Sequence, residues 1–353
     1  MMDSGMINLS TGPVRITPEV KKALGASPIA HRAKEFSTLY RETSDLLIHE
    51  YNVRHCYFLT GSGTLANEVM LHQLKQNGKG LILSNGEFGE RLIDQAARIS
   101  LDFVFHKIAW GEIFDTTLIR QQIIENNVAW IAFTHCETST GVVNDLNQLL
   151  VIARENQCEC YVDCMSTIGT QPLDLSGVTM ASASSGKGLA SIPGLALILS
   201  NIDPKTSPGI PSYLDLGQYF AKSGVPFTIS SNLVEALNVS ISQKLSTQQY
   251  GLTARYRNLI ANMLQQASML PFSHTNSFVF TLTPNENYLP MLDQFRENEL
   301  VVSFESEYLR KRKWIQLALF NRYSEDELNE IVKRLKKIIQ NQKVKSQKQL
   351  THF

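Results

Sequence analysis

Short apolar runs alternate with helical patterns between Val53 and Ser200, and this alternation constrains the fold more than any other feature of the sequence. Helical patterns follow at Thr64 to Lys75 and Asp145 to Asn156. Such a rhythm predicts an α/β fold with a mainly parallel seven-stranded sheet covered by helices on both faces. Residues just beyond the carboxyl ends of the strands are then the place to look for chemistry. The predicted strands are Val53 to Leu59, Gly80 to Ser84, Phe103 to His106, Val128 to Thr134, Cys160 to Cys164, Met180 to Ser184 and Leu195 to Leu199.

The remaining sequence predicts a second, smaller α+β domain. From about Ser230 to Met269 the apolar spacing indicates long helices that could connect two domains. Three strand patterns and an amphipathic helix follow, at Phe278 to Leu282, Val301 to Phe304, Ile315 to Phe320 and Glu325 to Ile339. We therefore expect a large domain over residues 1–235 with an N-terminal arm, a small C-terminal domain with its connecting helix over residues 236–340, and a flexible tail over residues 341–353.

Charge and hydropathy narrow the classes of function. Lys plus Arg and Asp plus Glu each number 33, so no net field favours nucleic acid or an anionic membrane, and small-molecule chemistry is the better prior. No apolar run approaches the roughly 20 residues that span a bilayer, and the first residues lack the pattern of a secretory signal. A cytoplasmic protein is expected.

The five cysteines are an odd number in a chain without a secretory signal, so reduced thiols are expected. Cys158, Cys160 and Cys164 could be read as metal ligands. They fall, however, in an alternating apolar run typical of a buried strand, so we interpret them as small core residues and predict no metal site.

The segment Thr60-Gly61-Ser62-Gly63-Thr64 separates a predicted strand from a predicted helix. Its glycines let the backbone turn tightly, and the exposed N–H groups and hydroxyls at the helix start can bind a phosphate. A glycine-serine turn can equally be a plain helix cap, and the spacing is not that of a nucleotide P-loop.

Asp163 stands at the end of one further predicted strand, and Lys187 follows another. A carboxylate at a strand end can pair with a protonated pyridine nitrogen, although a loop-bracing Asp is the simpler alternative. Lys187 lies between Gly186 and Gly188, where small neighbours let its amine approach an aldehyde carbon. A lone loop lysine is usually only solvated, so the order of the three features carries the argument.

That order, a phosphate loop, then an Asp at a strand end, then a Lys in a glycine-flanked loop, resembles the class V aminotransferases. Within that class the chain is similar to the branch of alanine:glyoxylate, serine:pyruvate and 2-aminoethylphosphonate:pyruvate aminotransferases. The resemblance is strong from near residue 8 to about residue 200 and weaker to about residue 340. It rests on Thr11-Gly12-Pro13, Ala30-His31-Arg32, Gly61-Ser62-Gly63-Thr64, Asn85-Gly86-Glu87-Phe88-Gly89-Glu90-Arg91, His135-Cys136-Glu137-Thr138-Ser139-Thr140-Gly141, Asp163 and Lys187.

The resemblance implies fold type I of the pyridoxal 5'-phosphate enzymes, with the cofactor held as a Schiff base on Lys187. Asp163 would face the pyridine nitrogen, Phe88 would stack on the ring, and Thr138 would contact the phenolic oxygen. Ser185, beside the lysine, is also expected at the cofactor.

The resemblance also implies how the phosphate is held and how subunits share sites. Ser62, Gly63 and Thr64 match the phosphate cradle. Thr228 resembles a residue that reaches the phosphate of the neighbouring subunit, so a homodimer with shared active sites is implied.

Two positions depart from the family pattern. Gly186 stands where many relatives carry Gln or Asn, which removes one polar contact to the phosphate. Gln316 stands where relatives carry an Arg that binds the substrate carboxylate, and a neutral amide is no equivalent of a bidentate guanidinium. Either another cation replaces it, with Arg15, Arg32 and Arg322 as candidates, or one substrate lacks a carboxylate at that place.

The expected activity is transfer of an amino group from a small amine or amino acid to a keto acid or aldehyde. Lys187 would move the proton as general base and acid. Two alternatives stay open, a lyase on the same fold and a cofactor-binding protein without turnover.

Overall fold

The computed structural model describes residues 5–245, 247–272, 276–284 and 287–350, and its largest element is a seven-stranded sheet. In chain order the strands of this part are β1 (Ile7–Asn8), β2 (His55–Thr60), β3 (Gly80–Ser84), β4 (Phe103–Lys107), β5 (Trp130–Thr134), β6 (Cys136–Glu137), β7 (Val142–Val143), β8 (Glu159–Asp163), β9 (Met180–Ser184), β10 (Leu195–Ser200), β11 (Val279–Leu282), β12 (Leu300–Val301) and β13 (Ile315–Ala318).

The large sheet has the order β2-β10-β9-β8-β5-β3-β4. Strands β9, β8, β5, β3 and β4 pair in parallel, and β10 runs antiparallel to both of its neighbours. The seven strands are those predicted from the sequence, so the mainly parallel α/β architecture is confirmed. The carboxyl ends of β2, β8 and β9 lie at one edge of this sheet, which gathers the loops that follow them.

Helices cover both faces of the sheet. Along β5 the side chains of Ile131 and Phe133 belong to one apolar core, and Trp130 and Ala132 belong to another on the opposite face. This alternation follows from the two-residue period of a strand. The helices are α1 (Pro18–Leu24), α2 (Lys34–Tyr51), α3 (Gly63–His72), α4 (Glu87–Arg98), α5 (Thr116–Asn126), α6 (Leu146–Glu155), α7 (Leu216–Ala221), α8 (Ser231–Lys244), α9 (Thr247–Gln266), α10 (Tyr288–Glu297), α11 (Glu307–Arg312) and α12 (Glu325–Leu350).

The C-terminal region has two small sheets where the sequence predicted three strands. β11 and β13 pair antiparallel, as the runs Phe278 to Leu282 and Ile315 to Phe320 predicted. The predicted strand Val301 to Phe304 is instead β12, Leu300–Val301, and it pairs in parallel with β1 at the start of the chain. The beginning of the chain therefore joins the apolar core of the C-terminal region, to which Ile7 and Leu9 contribute.

The long helices expected between Ser230 and Met269 are α8 and α9. The closing helix α12 continues to Leu350, beyond the predicted end at Ile339, and residues 351–353 of the predicted tail lie outside the described residues. All five cysteines are buried and free, and Cys158, Cys160 and Cys164 pack in one apolar core. Within the described ranges, none of the helices combines the length and apolarity needed to cross a membrane.

Candidate active site

A cavity of about 1060 Å³ opens at the carboxyl ends of β2, β8 and β9 and extends to the C-terminal region. Its far wall comes from residues 292–309 and from the start of the chain. Seven residues predicted at the site from the sequence line it together: Ser62, Gly63, Thr64, Phe88, Thr138, Asp163 and Lys187.

Asp163 ends β8 and is only 2% exposed. Its Oδ1 accepts a hydrogen bond from the backbone N–H of Met165 at 2.9 Å, and its Oδ2 accepts one from the side-chain amide of Asn67 at 2.8 Å. Burial raises the pKa of this carboxyl. The two hydrogen bonds, and separately the positive charge of the nearby Lys187, oppose that shift. A hydrogen-bonded carboxylate thus faces the cavity.

The amine of Lys187 enters the same cavity from the loop after β9. Burial lowers its pKa, which favours the neutral, nucleophilic amine, while the charge of Asp163 works in the opposite direction. Its Nζ lies 5.3 Å from the centroid of the Phe88 ring. It also donates a hydrogen bond to the hydroxyl of Ser166 at 3.3 Å.

A pair of hydroxyls connects the amine to Thr138. The side-chain oxygens of Thr138 and Ser166 are within hydrogen-bond distance, and both residues are buried. Ser166 therefore has two polar partners at the cavity, Thr138 and Lys187. The sequence analysis did not predict Ser166 at the site.

The turn that carries Phe88 is held by a buried carboxylate. Glu137 accepts hydrogen bonds from the backbone N–H groups of Phe88 at 3.1 Å and Gly89 at 3.0 Å, at the start of α4. Burial raises the pKa of Glu137, while these donors and the Ser139 hydroxyl favour the ionised form. A Cβ at Gly86 would lie 2.5 Å from Cγ of Glu137, so glycine is required for this close approach.

The predicted phosphate cradle is the start of α3. Ser62 is the N-cap residue, and in the described structure its side chain makes no capping hydrogen bond, so the first N–H groups of the helix stay available to an anion. Ser62 and Thr64 are exposed to the cavity. A Cβ at Gly63 would lie 2.6 Å from Sδ of Met165, which explains the small residue there.

Two predicted cofactor residues lie away from the cavity wall of the described chain. Ser185, the residue after β9, is fully buried, and its hydroxyl donates to the carbonyl of Ile192 at 2.6 Å, so it does not line the cavity. Thr228 is on the surface, outside its own subunit's cavity. The predicted gap in polar contacts at Gly186 has a steric cause, since a Cβ there would lie 2.7 Å from Pro193.

Gln316 is fully buried on β13 rather than exposed in the cavity. Its Nε2 donates to the carbonyls of Thr138 and Ser139 and to the Thr281 hydroxyl, and its Oε1 accepts from the Tyr308 hydroxyl at 2.9 Å. These partners use both N–H groups of the amide and one of the two acceptor positions of its oxygen. Gln316 braces the Thr138 loop, and its predicted contact with substrate is not seen in this geometry.

The three arginines suggested as replacements are also distant from the cavity. Arg15 forms an ion pair with Glu327 at 2.6 Å and shares a separate cavity with Arg322, and Arg32 lines a third cavity. The guanidinium groups that line the Lys187 cavity in the described chain are those of Arg91 and Arg296.

Sequence reasoning missed Arg91 and Asn67 as site residues. Arg91 belongs to the family motif and follows Phe88 by one helical turn, a spacing that places both on one face of α4. Its guanidinium lies 4.9 Å from the Phe88 ring centroid. Asn67 offered a weaker signal, a polar residue among the apolar positions of α3.

Comparison with known proteins agrees with this geometry. Residues 19–206 match the family described as aminotransferase class-V. The chain is 31% identical over 258 residues to a soluble hydrogenase 42 kDa subunit of Anabaena cylindrica. The matched region covers 68% of this chain and 67% of that protein. It is 26% identical over 275 residues to a 2-aminoethylphosphonate–pyruvate transaminase of Pseudomonas fluorescens, 74% of each chain.

Solved structures share the fold over nearly the whole chain. An aspartate aminotransferase of Thermus thermophilus superposes with a TM-score of 0.83 at 24% identity, covering 95% of this chain and 99% of that one. An alanine–glyoxylate aminotransferase of Nostoc sp. gives 0.83 at 23% identity, with 96% of each chain covered. With a family match over more than half of its residues, the chain belongs to the class V aminotransferases, a family of enzymes.

Proposed function

We propose that this class V aminotransferase uses pyridoxal 5'-phosphate, held as a Schiff base on Lys187, to move an amino group from a small amine or amino acid to a keto acid or aldehyde. The observation that carries the proposal is that Asp163, which is buried, and Lys187, which is half-buried, line one cavity, with the Phe88 ring centroid 5.3 Å from the lysine nitrogen. Each of these groups has one role that the cofactor would require.

The residues present fit the cofactor. A carboxylate held by two hydrogen bonds suits a protonated pyridine nitrogen, and an aromatic ring 5.3 Å from the lysine nitrogen suits a stacked heterocycle. Free N–H groups at the start of α3 suit a phosphate. The cavity, at about 1060 Å³, has room for cofactor and substrate together.

When bound, pyridoxal phosphate supplies an aldehyde that condenses with amines and a ring that withdraws electrons from the substrate carbon. Asp163 would keep the pyridine nitrogen protonated. Thr138 would present its hydroxyl to the phenolic oxygen, and Ser62, Gly63 and Thr64 would hold the phosphate.

Lys187 carries the proton. Its neutral amine would take a proton from the substrate's amino-bearing carbon as base and hold it for return as acid. The hydroxyl of Ser166 positions this amine, since it accepts from Nζ at 3.3 Å. The centroid of the Phe88 ring lies 5.3 Å from the same nitrogen.

We also infer a cytoplasmic homodimer. Thr228 is exposed, which suits a role in the neighbouring subunit's phosphate site. The five free, buried thiols support a reducing compartment. For an acidic substrate group, Arg91 is the cation nearest to Phe88 and Lys187, so it replaces Arg15, Arg32 and Arg322 as our candidate.

The test is the ultraviolet-visible spectrum of the purified protein with added pyridoxal phosphate, before and after a panel of amino donors. We expect a Schiff-base band that one donor converts to the spectrum of the pyridoxamine form. Lys187→Ala should lose the band, whereas Lys222→Ala, which changes an exposed lysine, should keep it. A band that persists in Lys187→Ala would overturn the proposed attachment.

A further inference from the structure

Asn67 makes a polar bridge between Asp163 and the neighbouring strand. It lies on α3 and is 5% exposed, and its Nδ2 donates to Oδ2 of Asp163 at 2.8 Å. Its Oδ1 accepts the hydroxyl hydrogen of Ser182, which is fully buried on β9. Ser182 and Asp163 are paired residues of β9 and β8, so helix and sheet are joined at one point.

The Ser182 hydroxyl fixes which end of the amide faces the carboxylate. If the Asn67 side chain were flipped, its carbonyl oxygen would face Asp163, and two acceptors would be in contact without a hydrogen. Because all three side chains are buried, such a mismatch would be costly. The bridge therefore has one favourable orientation, which presents an N–H donor to Asp163.

We propose that Asn67 is a positioning residue that keeps the Asp163 carboxylate ionised and aimed into the cavity, with Ser182 setting the orientation of its amide. This inference rests on the proposed function, in which Asp163 meets the pyridine nitrogen. One carboxylate oxygen is tied to the backbone of Met165 and the other to Asn67, so rotation of the group is blocked on both sides.

Charge also supports this role. Burial favours the neutral acid, and a hydrogen bond donated to the charged form opposes it. The other charged and titratable groups that act on or respond to Asp163 are Lys187, Arg91, Cys136 and Cys164. Lys187 and Arg91 act on Asp163 by charge, whereas Asn67 contacts a carboxylate oxygen directly.

The first experiment replaces Asn67 by Leu, a residue of similar size that lacks both polar groups. Because a hydrogen bond to a charged group is lost, kcat should fall about 10- to 100-fold while KM for the amino donor stays within about twofold. The loss should be greatest at low pH and smaller at high pH, where Asp163 ionises without help. In a pH titration of the bound cofactor's absorbance, the midpoint pH should also be higher in Asn67→Leu than in the wild type.

Ser182→Ala is the companion variant. It leaves Asn67 in place but frees its amide, so it should show the same direction of change with a smaller size. Equal loss of kcat at every pH in Asn67→Leu, or an unchanged absorbance midpoint, would overturn the positioning role.

A second measurement needs no cofactor. In the apoprotein, Asn67→Leu should raise the pKa of Asp163, so the native state holds its proton at a pH where the unfolded chain has released it. Stability relative to wild type should then fall as pH rises from about 4 toward 7. Asn67→Leu combined with Asp163→Asn should abolish this slope, and persistence of the slope in the double variant would contradict the link.

These arms separate the two proposals. Absence of a Lys187-dependent band would refute the proposed cofactor attachment, while the apoprotein titration would still test the Asn67 to Asp163 contact. A normal band with no response to Asn67→Leu would refute only the role of Asn67.

Discussion

The two walls of the cavity carry different kinds of polar group. On the side of the large sheet, Asp163, Glu137 and His135 are buried and Lys187 is half-buried. All four groups are titratable, and desolvation shifts the pKa of each toward its neutral form. On the C-terminal side, the buried polar groups around Gln316 are neutral hydroxyls, amides and carbonyls.

This difference separates chemistry from recognition. Proton transfer needs groups that can change charge, and they are found where strand ends and helix starts supply hydrogen bonds that hold them. The neutral network around Gln316 orders the opposite wall without supplying charge. Among the described residues that line that wall, Arg296 is the cation that could attract an anionic substrate group.

The largest expected effect is that of Gln316→Leu, which removes the neutral hydrogen-bond network around Gln316. This change leaves the Tyr308 and Thr281 hydroxyls and two carbonyls without their amide partner, so we expect a loss of about 2–5 kcal/mol in the free energy of unfolding. Urea denaturation measures it. Gln265→Leu, the same change at an exposed position of α9, should stay within about 0.5 kcal/mol. Similar losses in both variants would show that Gln316 is not a brace.

A smaller effect should appear in the pH dependence of stability on the titratable side. Burial lowers the pKa of His135 to about 4, and its Nδ1 is 3.1 Å from the Thr167 hydroxyl. The native histidine stays neutral while the unfolded one takes up a proton below pH about 6.5, so stability is present above that pH and is lost as pH falls toward 4. The contribution is roughly 3 kcal/mol at most.

His135→Asn checks this by urea denaturation across the same pH range. The difference between wild type and variant should shrink as pH falls from 6.5 to 4. His49→Asn, at an exposed histidine, should give a constant difference. A constant difference for His135→Asn as well would mean that its imidazole does not titrate in this window.

The smallest expected effect concerns the aromatic ring of Phe88. Phe88→Leu keeps an apolar residue but removes the ring, which should weaken pyridoxal phosphate binding about 3- to 10-fold. Phe105→Leu, which alters a ring that is 54% exposed, should leave the apparent dissociation constant unchanged. An unchanged constant for Phe88→Leu would argue against stacking.

Much of the fold and the titratable side could be predicted because its signals are local. Each strand of the large sheet is a short apolar run, and the groups that follow β2, β8 and β9 meet because parallel strands end at one edge. Ser62, Asp163 and Lys187 were found in this way. Ser185 shows the limit of such local signals. The residues on either side of it in the sequence line the cavity, and Ser185 does not.

The neutral hydrogen-bond network around Gln316 could not be predicted, because its contacts join distant parts of the chain. Gln316 was recognised as a departure from the family, yet its partners Thr138 and Thr281 are known only from packing. The same holds for Asn67, whose role depends on Asp163 and Ser182. The bounds and the pairing of β12 could not be predicted, because its partner, β1, is distant from it in the sequence.

The pairing of β1 with β12 bears on the order in which the protein can be completed. The backbone N–H of Thr11 donates to the Ser303 hydroxyl, and these residues are 292 positions apart. β12 is synthesised long after β1, so their pairing cannot form until the intervening chain has been made. Met6 and Asn8 also line the cavity. The cavity wall that this pairing supports therefore forms after Asp163 and Lys187 have been synthesised.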